Sequence, residues 1–168
     1  MSGQAMKLDY FFDPFCGWCY ASAPALDAIA EAYPHALTMQ PSGLFANTGG
    51  RPVSSMADHA WRNDQRIAEL TGQKVTTEYR DLVLHDPDGV FDSIYATRAI
   101  VALGEIDPSL EPKVLHELQT ARYVNANDTA NPAVVAAVAA KVSGKHGHSV
   151  DKDAFAHILA NDVFGLSA

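Results

Sequence analysis

The sequence predicts an α/β protein that is mostly helical, in which one strand–helix–strand unit is followed by a helical layer. Three observations lead to this prediction. The aromatic run Lys7–Asp13 is typical of a buried strand, and apolar residues at helical spacing follow it directly. After residue 50, apolar residues at three- and four-residue spacing recur to the end of the chain. We therefore expect a strand–helix–strand part over residues 1–50 and a helical part over residues 51–168.

The N-terminal unit consists of three consecutive predicted segments. The first strand ends at Asp-Pro, because Pro14 biases the preceding residue away from helical angles. The segment Cys16–Tyr33 is predicted to be a helix that Pro24 kinks, since proline lacks an amide donor. The segment Leu37–Phe45 is predicted to be a second, less regular strand. A crossover of this size pairs the two strands in parallel and places the start of the helix at the end of the first strand.

The helical part is divided by capping residues, prolines and glycines. Serine or aspartate precedes several of the predicted helices, and Gly or Pro follows or opens others. The predicted segments run from Ser54 or Ser55 to Leu70, from Thr77 to Leu84, from Ser93 to Leu103, from Pro108 to Tyr123, onward from Asn131-Pro132, and onward from Asp151.

Composition excludes two classes of partner. The net charge of −8 over 168 residues, with scattered Lys and Arg, argues against nucleic acid. The longest apolar run, Ala133–Ala140, is much shorter than the ~20 residues that cross a bilayer. The segment Met1–Lys7 lacks the apolar stretch of a secretory signal. We expect a soluble, cytoplasmic protein that binds neither nucleic acid nor membrane.

The two cysteines of the chain, Cys16 and Cys19, stand in the motif Cys-Gly-Trp-Cys. Two cysteines three positions apart on a first helical turn lie on one side of the helix, within the ~4.4–6.8 Å between Cα atoms that a disulfide requires. The helix N-terminus favours an anion, so the pKa of Cys16 is expected to fall from about 8.5 into the range ~3.5–7.5. We predict that Cys16 is the attacking thiolate and Cys19 the resolving thiol, with no cofactor beyond the pair.

Four neighbouring residues are predicted to bind substrate or tune the cysteines. Asp13 either raises the thiol pKa and relays a proton or, as we favour, caps local amides in the turn before Pro14. Gly17 sets the local backbone. Trp18 either presents an apolar face to a substrate or is a packing residue, and we expect Phe15 and Trp18 to be partly exposed.

Two further sets of side chains carry weaker signals. His146 and His148 would have to join the cysteines in a zinc site, but structural zinc histidines usually lie three to five residues apart, so we predict no metal. Asp64, Arg66 and Glu69 belong to a helix that either faces the cysteines or, as we favour, presents a solvated charged face.

The run Phe12–Tyr20, followed by Ala23-Pro24, resembles the DsbA-like thioredoxin-fold family, in particular its bacterial branch with Cys-Gly-Trp-Cys. Five later stretches also resemble that branch: Gly43–Phe45, Asp64–Ile67, Leu70–Gln73, Phe91–Ser93 and Ala121–Val124. The resemblance covers roughly residues 7–131. It implies a thioredoxin-like β-α-β unit with a large helical insertion, with Cys16 as the nucleophile and Cys19 as its partner.

The sequence departs from the family pattern in its C-terminal part. Family members continue into a loop with a cis-proline, two strands and a helix, whereas the last of the nine prolines here is Pro132. No position matches the cis-proline. A two-stranded sheet would leave an unpaired strand edge, so we expect a homodimer or impaired activity.

The resulting function hypothesis is a thiol–disulfide oxidoreductase that acts on protein or small-molecule disulfides and thiols. One alternative is a non-catalytic or metal-holding binding module derived from the same fold. Another is a glutathione-dependent isomerase of the kappa-class type, although members of that group typically place a serine where Cys16 stands.

Overall fold

The N-terminal part folds as the predicted strand–helix–strand unit. The computed structural model describes residues 6–161. Strand β1 (Leu8–Phe12) is followed by helices α1 (Gly17–Ala21) and α2 (Ala23–Ala32) and by strand β2 (Leu37–Pro41). The two strands pair in parallel, with Leu8 opposite Leu37 at one end of the register and Phe12 opposite Pro41 at the other. Within residues 6–161 the sheet consists of these two strands.

Two boundaries in this unit differ from the prediction. The helix predicted over residues 16–33 is divided at Ser22, because Pro24 lies in the first turn of α2 and supplies no amide donor there. The strand predicted to reach Phe45 ends at Pro41. Gly43 follows in the left-handed region with φ 66°, which turns the chain out of the sheet.

The rest of the described chain is helical. A 3₁₀ turn (Val53–Ser55) leads into α3 (Ala57–Thr71), and α4 (Thr77–Tyr79) continues as a π-helical turn (Arg80–Leu84). Four helices follow: α5 (Ile94–Ile106), α6 (Leu110–Tyr123), α7 (Pro132–Lys145) and α8 (Lys152–Ala160). The predicted starts of the last two helices, at Asn131-Pro132 and at Asp151, are confirmed. The Asn131 side chain accepts from Ala133 N, and Asp151 accepts from the amides of residues 153 and 154.

Two helix boundaries were predicted incorrectly. Ser54 and Ser55 lie in the 3₁₀ turn rather than capping α3, which begins at Ala57. Gly104 lies inside α5 instead of ending it. A Cβ atom at Gly104 would lie 2.7 Å from Cγ of Glu111, so this glycine permits the close approach of α5 to α6.

Buried side chains form two clusters that meet at the start of α1. The apolar core is largely aliphatic: Phe12, Leu26, Met39, Ala96, Ala99, Ile100, Ala102, Leu103, Leu110, Val114, Leu115, Leu118, Val135, Ala136, Ala139, Val142, Phe155 and Leu159. The aromatic core contains Phe15, Tyr20, Val53, Ala57, Tyr79, Val83, Leu84, Phe91 and Tyr123. Cys19 packs against the first cluster, while residues 15 and 20 belong to the second. The Cys-Gly-Trp-Cys motif therefore lies at the junction of the two cores.

The apolar core combines residues from both sides of the division predicted at residue 50, and that division stays a prediction. Among the helices of residues 6–161, none is long and apolar enough to cross a membrane.

Candidate active site

The turn before the motif is held by a buried carboxyl group. Asp13, which is 1% exposed, accepts hydrogen bonds from Phe15 N (2.8 Å), Phe45 N (2.9 Å) and the Ser93 hydroxyl (2.9 Å). Burial raises the pKa of Asp13, and these three donors oppose that rise. The bond to Phe15 N is the local amide cap that the sequence favoured. The other two bonds tie the turn to the segment after β2 and to the start of α5.

Cys16 lies at the N-cap of α1, with extended backbone angles of φ −77° and ψ 113°. Its amide donates to Asp13 O (3.0 Å), and its carbonyl accepts from Cys19 N (3.0 Å) and Tyr20 N (3.2 Å). Both cysteines are free thiols of intermediate exposure. The backbone of Cys16 is therefore hydrogen-bonded both to the turn before it and to the first turn of α1.

The surroundings of Cys16 favour its thiolate. The pKa of Cys16 is lowered to about 6, chiefly because the Cys19 thiol donates a hydrogen bond to the Cys16 sulfur. The amides of Cys19 and Trp18 donate to the same sulfur and lower the pKa further. Partial burial and the negative charge of Asp13 act in the opposite direction. A thiolate with this pKa is largely formed at neutral pH and is a reactive nucleophile.

Cys19 is held in the opposite protonation state. Its pKa is raised, first because its thiol proton is shared with Cys16 and second because of burial. The Asp13 amide and the Tyr10 hydroxyl donate to its sulfur and oppose this rise. The Tyr10 hydroxyl also lies 2.8 Å from Ser22 Oγ, and burial raises the pKa of Tyr10 to about 12. The pair therefore combines one thiolate with one protonated thiol, as exchange through a mixed disulfide requires.

The remaining predicted site residues are placed differently from one another. Trp18 is 50% exposed, in agreement with the expected partial exposure. The same expectation for Phe15 is wrong, because its ring is 4% exposed and packs edge-on against Phe91 and under the Arg122 guanidinium, 3.9 Å from the ring centroid. Gly17 faces α3, where a Cβ atom would lie 2.5 Å from Asp64 Oδ1. Of these residues, Trp18 is the one that presents a large apolar surface to solvent.

Of the three charged residues predicted to form a solvated face of α3, Asp64 was predicted incorrectly. Arg66 and Glu69 are exposed, as the predicted solvated face of α3 requires, but Asp64 is 4% exposed. Its Oδ2 accepts a hydrogen bond from the Tyr79 hydroxyl at 3.0 Å. The sequence did contain a signal, since residues 57, 60, 64 and 67 follow the three- and four-residue spacing of the buried face. A carboxylate on the buried face of a helix indicates a paired or functional residue, because other buried charges are rare.

His146 and His148, the histidines considered as zinc ligands, lie in the connection between α7 and α8. His148 Nε2 lies 3.4 Å from Oδ2 of Asp107, which follows the last residue of α5. Within residues 6–161 no group of three or more His, Cys, Asp or Glu side chains is arranged to hold a metal ion.

The chain is similar in sequence and in fold to known proteins. Residues 7–163 match the family model of the DSBA-like thioredoxin domain. The cytosolic disulfide reductase DsbM from Pseudomonas aeruginosa superposes with a TM-score of 0.78 at 30% identity, over 95% of this chain and 74% of that one. The structure of the same reductase with GSH gives a TM-score of 0.76 at 30% identity, over 95% and 75% of the two chains.

A third structure, from Nitrosomonas europaea, carries the provisional designation of a protein disulfide isomerase. It superposes with a TM-score of 0.71 at 24% identity, over 95% of this chain and 72% of that one, and supports the fold alone. A comparison with curated proteins found no match.

Proposed function

Since this chain belongs to the DSBA-like thioredoxin domain family, we propose that it is a thiol–disulfide oxidoreductase in which Cys16 is the nucleophile and Cys19 the resolving thiol. The observation that carries the proposal is the asymmetry of the pair. The pKa of Cys16 is lowered to about 6 while that of Cys19 is raised, although both side chains retain partial exposure. Two neighbouring thiols whose pKa values are shifted in opposite directions are typical of a redox pair, and packing alone does not require such shifts.

The exchange follows from these protonation states. The Cys16 thiolate attacks one sulfur of a substrate disulfide, forms a mixed disulfide and releases the other substrate sulfur as a thiolate. Cys19 then loses its proton and attacks the Cys16 sulfur, which forms the intramolecular disulfide and releases the second substrate thiolate. Two electrons pass from the cysteine pair to the substrate, and the Cys19 proton passes to a released thiolate or to water. The reverse sequence oxidises a dithiol.

We propose reduction of protein or small-molecule disulfides in the cytoplasm as the physiological direction. Two findings support this: the Pseudomonas relative is a cytosolic disulfide reductase, and one of its structures contains GSH. Glutathione is accordingly the thiol that we expect to regenerate the reduced pair. No further cofactor, metal, nucleic acid or membrane enters the proposal. A homodimer through the second edge of β1, which is unpaired within residues 6–161, stays a prediction.

The four neighbouring residues have distinct proposed roles. Asp13 holds the turn and, through its charge, opposes ionisation of Cys16. Gly17 leaves room for α3 against the first turn of α1. Phe15 tunes the site from within the aromatic core, since its buried ring does not face a substrate. Trp18 offers an exposed apolar face for substrate binding.

The decisive test is the Cys16→Ser variant compared with Cys19→Ser. We expect Cys16→Ser to lose disulfide reduction to the uncatalysed background, because no thiolate remains to attack. Cys19→Ser should still form the mixed disulfide with glutathione disulfide but fail to release it, because the resolving sulfur is gone. Turnover with insulin and glutathione disulfide, together with intact-mass spectrometry, measures both outcomes, and circular dichroism controls for folding.

The pH dependence of iodoacetamide alkylation provides an independent test. For the reduced protein the rate should rise with pH and be half-maximal near pH 6, because the thiolate forms as the pH passes the pKa of Cys16. A rate that stays flat below about pH 8, near the ordinary thiol value of ~8.5, would favour the binding-module alternative. Full turnover by Cys16→Ser would exclude the proposed mechanism outright.

A further inference from the structure

We propose that Asp64 is a positioning residue whose proton is coupled to the redox state of Cys16. Its carboxyl group is protonated while Cys16 is a thiolate and becomes ionised when Cys16 enters a disulfide. The proposal deepens the function above and rests on Cys16 being the redox sulfur. It assigns a part in the reaction to the helical part of the fold, through a residue outside the Cys-Gly-Trp-Cys motif.

The contact between α3 and the first turn of α1 brings the two groups together. Gly17, next to Cys16, lies so close to α3 that a Cβ atom would be 2.5 Å from Asp64 Oδ1 and 2.8 Å from Cδ1 of Ile67. The absence of a side chain at Gly17 thus allows the Asp64 carboxyl group to reach the backbone that carries Cys16. With 4% exposure, Asp64 interacts with its neighbours through little intervening water.

The groups facing Asp64 come from several elements. The Tyr79 hydroxyl donates to Oδ2 from α4, and the positive charge of Arg122 approaches from α6. Tyr123, also on α6, points its hydroxyl away toward Phe15 O, to which it donates at 3.1 Å. The Arg122 guanidinium is buried, so its positive charge acts on Asp64 through little intervening water. Asp64 therefore titrates between one fixed cation and one redox-active sulfur.

Electrostatics supports the coupling. The pKa of Asp64 is raised to about 7, first by burial, while the Tyr79 hydrogen bond and the Arg122 charge oppose the rise and the Cys16 charge adds to it. Because interactions between titrating sites are reciprocal, ionised Asp64 must disfavour the Cys16 thiolate to the same extent. Between about pH 6 and about pH 7, Cys16 is mostly ionised while Asp64 is mostly protonated.

A count of charges shows why the two groups alternate. In the reduced protein the Cys16 thiolate carries the negative charge of the Cys16–Asp64 pair, and Asp64 is neutral. In the disulfide state the sulfur carries no charge, so Asp64 ionises without repulsion from Cys16 and with the support of the Arg122 charge. Either state leaves one negative charge on the pair, which avoids repulsion between Cys16 and Asp64.

The proton and electron balance follows from this alternation. Conversion of the thiolate form to the disulfide transfers two electrons to the substrate disulfide and frees the Cys19 proton. Loss of the thiolate charge then frees a second proton, from Asp64, in the pH range where that group is protonated only in the reduced protein. The two protons neutralise the two thiolates that the substrate releases.

Asp13 is the competing carboxyl group, since its charge also opposes ionisation of Cys16. It differs from Asp64 in having three hydrogen-bond donors, from Phe15 N, Phe45 N and Ser93 Oγ, which stabilise its ionised form. We therefore assign the redox-linked proton to Asp64, and the experiment must separate the two residues.

The direct experiment titrates the carboxyl ¹³C resonances of aspartate-labelled protein in the reduced and the oxidised state. The Asp64 resonance, assigned by its loss in Asp64→Asn, should titrate near pH 7 in the reduced protein and at lower pH in the oxidised protein. Tyr79→Phe offers a second assignment if Asp64→Asn does not fold, because removing the donor to Oδ2 should raise the pKa of Asp64 further.

A second readout counts the protons released on oxidation between pH 6 and pH 7. The wild type should release more protons per disulfide than Asp64→Asn. The matched control Glu69→Gln, which removes one carboxylate from the exposed face of the same helix, should behave as the wild type. If Asp64 acted only in packing, Asp64→Asn would release as many protons per disulfide as the wild type.

The outcomes separate this proposal from the proposed function. Equal Asp64 titrations in both redox states, or a redox-linked shift found at Asp13 instead, would overturn the assignment while leaving turnover by Cys16 intact. A shift of Asp64 between the two states in a protein without disulfide turnover would support the coupling but contradict the enzymatic function.

Discussion

The two buried clusters of this protein differ in what they do for the cysteines. The apolar core contains mainly aliphatic side chains from β1, β2 and the helices α2 and α5–α8. The aromatic core surrounds Arg122, whose guanidinium lies within 3.9–5.6 Å of the ring centroids of Phe15, Tyr79 and Phe91, and it borders the carboxyl group of Asp64. The comparison indicates that the apolar core supplies uncharged packing, including the contact to Cys19, whereas the aromatic core also holds the buried charge of Arg122 and contacts Asp64.

The largest expected effect on stability comes from the apolar core. Leu103→Ala removes a fully buried side chain from α5 and should lower the free energy of unfolding by about 2–5 kcal/mol. The pKa of Cys16 should stay near 6, because no charge or hydrogen bond at the sulfur changes. Urea unfolding and alkylation rates measure the two effects. Ile106→Ala, at a position on the same helix that is 54% exposed, is the control and should be far milder. A large shift of the thiol pKa in Leu103→Ala would contradict the division of roles.

A smaller effect is expected where α3 meets the motif. Gly17→Ala would place a methyl group against Asp64 Oδ1 and Ile67 Cδ1, which forces the two helices apart and should cost about 1–3 kcal/mol. The pKa of Asp64 should change at the same time, because its burial changes. Gly144→Ala is the control, since a Cβ atom there meets nothing within 4 Å and alanine is favoured in a helix by roughly 0.5–1 kcal/mol. If both variants are equally stable, the close approach at Gly17 has no energetic consequence.

The smallest effect on stability is expected at the surface of the motif. Trp18→Ala should change the free energy of unfolding by no more than about 0.5 kcal/mol, because half of the side chain is already exposed. KM for a protein disulfide should rise more than KM for glutathione disulfide, because only the larger substrate can cover the indole. Phe11→Ala, at a position that is 69% exposed on β1, is the control. Unchanged KM values for both substrates would leave Trp18 as a packing residue.

The sequence was most informative where local chemistry decides the structure. The aromatic strand, the Asp-Pro turn, an irregularity of the first helix at Pro24, and the helix starts at Asn131-Pro132 and Asp151 were all predictable. It was least informative at Gly104, a residue type that often ends helices but here lies inside α5, where the Glu111 side chain leaves no room for a Cβ atom. A helix end depends on local residues, but a close contact between helices depends on residues that meet only in the fold.

The position of both cysteines on the first turn of a helix could be predicted from the sequence, because their spacing and the helical turn are local properties. The family to which the chain belongs was likewise visible in the residues around the motif and was confirmed by the match over residues 7–163. The burial of Phe15 and the contact between Asp64 and Gly17 could not be predicted in this way and were seen only in the folded chain. The physical reason is that burial and charge coupling depend on which distant segments pack together, and the spacing of residues along one helix does not specify its neighbour.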